Sequence, residues 1–105
     1  MNHKNFFIFL KWLLTTNLND KIHVKEVRTM KDEYYKTVGA FFKMKRLEKG
    51  VSINDVAIAV NHGKIWYYDV ETGKNRIFLK DTILLCKYFN SNLNELQEYI
   101  EKNGL

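Results

Sequence analysis

The 105-residue sequence predicts an all-α protein, with a five-helix domain over residues 32–103 behind an N-terminal arm of residues 1–31. Three observations predict it. Apolar residues recur at spacings of three and four in five successive short segments after residue 31. The first four of these segments run out at Gly50, at Asn61-His62-Gly63, at Gly73 and at Asn90-Ser91-Asn92, and with no proline in the chain these residues carry the turns. A composition of 46% hydrophobic and 28% charged residues, with no Gly/Ser tract, suits one compact domain rather than two.

The first helix is expected over "DEYYKTVGAFFKMKRLEK" (32–49), with Tyr34, Val38, Phe41, Phe42 and Leu47 as its apolar set and Gly50 as terminator. Ser52 then stands where an N-cap belongs, and Asp55 is its acidic partner three residues on. Val56, Ala57 and Val60 make the inner stripe of a short second helix. The third starts at Lys64, turns Tyr67, Val70 and Glu71 inward and stops at Gly73. After the basic loop "KNRIF", a fourth helix is expected to bury Leu79, Ile83, Cys86 and Phe89, and a fifth Leu93, Leu96 and Ile100. Glu95, Glu98 and Glu101 fall at i, i+3, i+6 and read as a solvated face.

The arm reads as a helix followed by a short extended piece. Residues 5–14, "NFFIFLKWLL", have helical spacing but are apolar nearly all round, whereas Ile22, Val24 and Val27 alternate at strand period. Ten residues are too few to span a bilayer, Lys11 interrupts the run, and no small-residue cleavage site follows, so neither a membrane segment nor a signal peptide is expected. Lys11 also argues against amphipathic membrane association. Such a segment needs a surface to cover, at a dimer contact or over the core. Met30 stands as an alternative start, which would make residues 1–29 an optional extension.

Residues 1–49 hold eleven Lys/Arg against five Asp/Glu (net +6), and residues 50–105 six against seven (net −1), within an overall charge of +5. That asymmetry implies an electrostatic partner: nucleic acid first, an anionic membrane or acidic protein surface otherwise. The lone Cys86, in the apolar run "ILLCKYF", reads as a small core residue and suits a reducing, cytoplasmic setting. Nothing points to catalysis. His3, His23 and His62 are too scattered for a local metal motif, His62 reads as a turn residue, no Gly-rich phosphate loop is present, and no cofactor is expected.

Helix, tight turn and a second helix of about eight residues is the helix-turn-helix pattern. Residues 38–96 resemble, without a gap, the phage-repressor (Cro-like, or XRE) helix-turn-helix family. Gly39, Arg46, Gly50, Ser52, Val56, Ala57, Val60, Tyr67, Val70, Glu71, Gly73 and Lys74 carry the resemblance, followed by Leu79, Ile83, Leu85, Phe89, Leu93, Glu95 and Leu96. It implies a lambda-repressor-like fold and a structural ion pair of Arg46 with Glu71. Ala57 is small where the second and third helices must approach closely. The chain departs from the family at Asn61-His62-Gly63, which replace Gly, an aliphatic residue and Ser, and at Ile53 and Ile77, which replace common Gln and Pro.

The resemblance makes residues 64–72, "KIWYYDVET", a recognition helix whose outer face carries Lys64, Ile65, Tyr68, Asp69 and Thr72, with Trp66 at the edge. As a DNA surface, Lys64 donates to guanine or phosphate, Ile65 touches a thymine methyl, Asp69 accepts from cytosine N4 and Tyr68 reaches phosphate. Lys43 and Lys45 on the first helix, and Lys74, Asn75 and Arg76 after the third, form the phosphate-gripping surround. The expected function is therefore a sequence-specific DNA-binding regulator, a repressor of phage or mobile-element type, binding double-stranded DNA as a homodimer. The alternative is a helix-turn-helix scaffold that binds protein, an antitoxin or a phage-coded inhibitor of a host protein, through Ile65, Trp66 and Tyr68.

Overall fold

The computed structural model describes residues 20–103, with side chains from Asp32 onward. Among these residues it is all-helical, with five helices and no strand: α1 (Asp20–Lys49), α2 (Ile53–Ala59), α3 (Lys64–Thr72), α4 (Leu79–Tyr88) and α5 (Leu93–Lys102). None of them is long and apolar enough to cross a membrane. The apolar segment of residues 5–14 lies outside the described residues.

α1 is longer than the sequence suggests. It begins at Asp20 rather than Asp32, runs unbroken for 30 residues and includes the segment over Ile22, Val24 and Val27 that the alternation assigns to an extended piece. No glycine or proline stands between residues 20 and 38 to interrupt it. Met30 falls well inside this helix.

Packing is organised by α1, which lies against α3 most extensively and against α5 beyond it, while α2 packs on α3 and α4. The core brings together Val38, Phe41 and Phe42 of α1, Val56 and Ala57 of α2, Tyr67 and Val70 of α3, Leu85 and Cys86 of α4, and Leu96 and Ile100 of α5, with Val60 and Phe89 just after their helices. Phe42 stacks on Phe89 with ring centroids 6.3 Å apart, and Phe41 meets Tyr99 at 5.4 Å.

Four expected core residues are exposed: Leu47, Leu79, Leu93 and Tyr34, which stands one turn before Val38, the first buried residue of α1 among those described. Leu47 lies five residues beyond Phe42, about 140° round the helix, so Arg46 takes the inward place instead. Leu79 and Leu93 are the first residues of α4 and α5, and because helical side chains lean towards the N-terminus, both overhang the ends of their helices. The inward row of α4 is Thr82, Leu85, Cys86 and Phe89, a true i, i+3, i+4, i+7 set, whereas Ile83 is only half-buried. Thr82 is tolerated there because its hydroxyl donates to the Phe78 carbonyl at 3.0 Å.

The face carrying Glu95 is not simply solvated. Lys45 of α1 donates to Glu95 of α5, and Ser91 donates to the same carboxylate at 2.6 Å. These bonds hold the Glu95 carboxyl below its usual range, the lysine first and the serine second. A carboxyl lowered in the folded state stabilises the fold above its ordinary value and loses that contribution as pH falls through its folded value. Stability should therefore decline progressively below pH 4.5, and the Glu95→Gln variant should show a shallower decline over that range in urea denaturation at stepped pH.

At Gly39 the backbone of α1 lies on that of α3. A Cβ at this position would overlap the carbonyl oxygen of Val70 and sit 2.5 Å from that of Glu71. In an exposed helix Gly→Ala stabilises by about 1 kcal/mol, but here the helices would have to part, which costs about 1–3 kcal/mol or more. The Gly39→Ala variant should unfold at lower urea concentration with an unchanged slope.

Candidate nucleic-acid interface

Local sequence chemistry places α3. Ser52 caps α2 reciprocally with Asp55: the Asp55 amide donates to Ser52 Oγ and the Ser52 amide to Asp55 Oδ2, both at 3.0 Å. Asn61 then takes the left-handed conformation (φ 60°) that reverses the chain, and Gly63 starts α3 without a side-chain cap. Gly73 ends it at φ 78°, again left-handed, with Lys36 of α1 so close that a side chain would collide with its backbone. Both ends of α3 are thus fixed by residues chosen for backbone geometry.

The inner face of α3 is the predicted one. Tyr67, Val70 and Glu71 are buried. Arg46 grips Glu71 in a fork, Nε donating to Oε2 at 2.7 Å and Nη2 to Oε1 at 3.2 Å, and its Nη1 donates to the Val51 carbonyl at 3.2 Å. The Glu71 side chain is only 4% exposed and that of Arg46 13%. The Glu71 bond holds the guanidinium pKa up, against the burial that would lower it. Tyr67 is raised too, by burial first and the neighbouring Glu71 carboxylate second. Because Ala57 is fully buried where α2 meets α3, the two short helices are held closely from the other side as well.

The outer face is open. Ile65 is 78% exposed and Tyr68 48%, Lys64 is exposed, and Asp69 and Thr72 are half-exposed. Lys43, Lys64, Lys74 and Arg76 are exposed and pair with no carboxylate among the described residues. Lys74 Nζ lies over the Tyr68 ring, 5.9 Å from its centroid. Lys45, by contrast, is engaged by Glu95 and Glu48 and leaves the expected basic surround. Asn75 is less available than predicted: its side-chain amide donates to the Trp66 carbonyl at 3.4 Å and its backbone N–H to the Asp69 carbonyl, so it ties the loop to α3.

Trp66 occupies the edge, as expected, but it is half-buried, packed against the core and stacked on His62 with centroids 3.6 Å apart and planes 9° from parallel. His62 in turn bonds through Nε2 to Asp81 Oδ1 at 2.9 Å. The turn residue therefore joins α3 to the first turn of α4. The His62/Trp66 spacing of four hints at the stack, whereas nothing in local sequence connects His62 to a residue nineteen positions away.

Removing one member of the Arg46–Glu71 pair leaves a buried charge unpaired, at a cost of about 3–5 kcal/mol. Glu71→Leu alone should destabilise the fold by that amount, and Arg46→Met with Glu71→Leu should cost clearly less than the sum of the single changes. A double-mutant cycle on urea unfolding measures the difference.

No family model matches the chain, and no curated protein or solved structure matches it either.

Proposed function

We propose that the protein is a sequence-specific DNA-binding regulator, a repressor of phage or mobile-element type, that acts in the cytoplasm and inserts α3 into the major groove. The observation that carries this reading is the division of charge around α3. Arg46 and Lys45 are consumed by carboxylates, whereas Lys64 at the start of α3 and Lys74 and Arg76 just after it remain exposed and unpaired among the described residues. Cations bracketing both ends of an exposed helix suit phosphates on either side of a groove. The uncapped N-terminus of α3 adds backbone N–H groups beside Lys64. The resemblance of residues 38–96 to the phage-repressor family supports the same orientation.

In this reading Lys64, Ile65 and Asp69 face base edges, Tyr68 reaches phosphate, and Arg46 and Glu71 stay structural. Trp66, held by His62, shapes the edge of the helix. As a homodimer the protein would set two α3 helices on half-sites about 34 Å apart. The same reading assigns the protein no catalytic role and no cofactor.

The high exposure of Ile65 and Tyr68 favours a second reading, a protein-binding scaffold. It is narrower than the sequence suggests, because Trp66 is committed to His62 and the core edge.

Titration into labelled mixed-sequence duplex separates the two. Three phosphate contacts per domain, six for the homodimer, predict a loss of affinity of about 1,800-fold between 50 and 200 mM salt. The Lys74→Ala/Arg76→Ala variant, left with one contact per domain, should bind more weakly and lose only about 12-fold over the same range. Absence of duplex binding at 50 mM salt would sink the DNA reading and leave Ile65 and Tyr68 as a protein-contact surface.

A further inference from the structure

An apolar groove of about 320 Å³ opens on the other side of α1, between its middle, the start of α4 and the length of α5. Tyr34, Val38, Leu79, Leu93, Leu96 and Ile100 line most of it. Three of these are well exposed, Tyr34 at 40%, Leu79 at 65% and Leu93 at 41%. None is used by the α3 surface. Leu79 and Leu93 are also residues that the sequence marks as inward-facing, so the groove is where this chain's apolar pattern and its described packing part company.

We infer that residues 5–14 of the same chain seat in this groove. Composition gives the first reason: eight of the ten residues in "NFFIFLKWLL" are apolar, too many to leave in water and too few to span a bilayer. The tether gives the second. From Asp20 to Tyr34 is fourteen residues of α1, about 21 Å along the axis, and the six steps from residue 14 to Asp20 reach about 20 Å when extended. With about two residues spent on the reversal, the linker covers about 13 Å of that span, and the segment's own ten residues, about 15 Å as a helix, carry it over the remaining ~8 Å into the groove. Charge gives the third. Lys11 is the one charge in the run, and a carboxylate is at hand for it: Gln97, which lines the groove, donates to Glu101 Oε1 at 3.2 Å, so Glu101 stands near the opening.

A segment on the same chain meets the groove at a local concentration that dilution does not change, whereas a second copy's segment is lost on dilution. The docked segment completes the core on the side away from α3 and leaves the candidate DNA surface uncovered. The inference does not depend on what α3 binds.

The full-length chain carries its own reporter, since Trp12 lies in the segment and Trp66 is the other tryptophan. In a Trp66→Phe background, Trp12 emission should be blue-shifted and poorly quenched by acrylamide, and both properties should persist on hundredfold dilution. Adding Leu79→Lys and Leu93→Lys, changes at exposed positions, should shift the emission to that of a solvated indole and raise quenching several-fold. Circular dichroism of the same sample confirms that the helices remain, and Leu79→Ser/Leu93→Ser should give the same direction if the lysines unfold the chain. Solvent-like emission in the starting protein overturns the inference, as does a blue shift that the groove changes leave intact. A blue shift lost on dilution also overturns it, by assigning the groove to a second copy's segment.

Discussion

The contact at Gly39 sets the geometry of the molecule. α3 is only nine residues long, too short to persist as an isolated helix, so its direction must be imposed from outside. α1 imposes it by lying backbone to backbone on α3, an approach that only a residue without Cβ allows. The fork from Arg46 to Glu71 then fixes rotation about the helix axis, and buried Tyr67 and Val70 fill the space on either side. α2, α4 and α5 enclose this pair of helices and add the hydrophobic burial that a nine-residue helix lacks.

Electrostatics follow from the same arrangement. Read along the chain, the basic half ends at α1, and every lysine or arginine in it looks equally available. Folding sorts them. Arg46 points inward, Lys45 reaches across to α5, and Lys49 donates to the Tyr88 carbonyl and lies over the Tyr88 ring. The cations left around α3 come mostly from the nearly neutral half of the sequence. Formal charge along the chain is thus a poor map of where an anion would bind, and the map has to be drawn after the internal pairs are removed.

Features governed by neighbours within four residues were legible in advance: the Ser52–Asp55 cap, the left-handed Asn61 and Gly73, and the inward set Tyr67, Val70 and Glu71. Each depends on backbone geometry or helical period, which a short window contains. The Arg46–Glu71 pair, twenty-five positions apart, is implied only by the family resemblance. The Lys45–Glu95 and His62–Asp81 contacts have no such guide, and no local rule selects one distant partner over another. Leu79 and Leu93 failed for a different reason. Periodicity assigns a face to a residue but does not register that the first residue of a helix hangs past its neighbours. Over Ile22, Val24 and Val27 a strand-like alternation gives way to a helix that no glycine or proline interrupts before Gly39.

The separation of the two faces of α3 has a consequence for how such a protein changes over generations. Inward positions carry the stability of the domain, so most substitutions there are removed before they can be tried for anything else. Positions 64 and 65 are exposed, and exchanges at sites of that kind usually shift stability by less than about 0.5 kcal/mol. Lineages can therefore rewrite that surface one residue at a time without passing through an unfolded ancestor. Trp66 is the exception on this helix, because altering it disturbs His62, and through His62 the start of α4. New partners would be acquired around a fixed aromatic landmark.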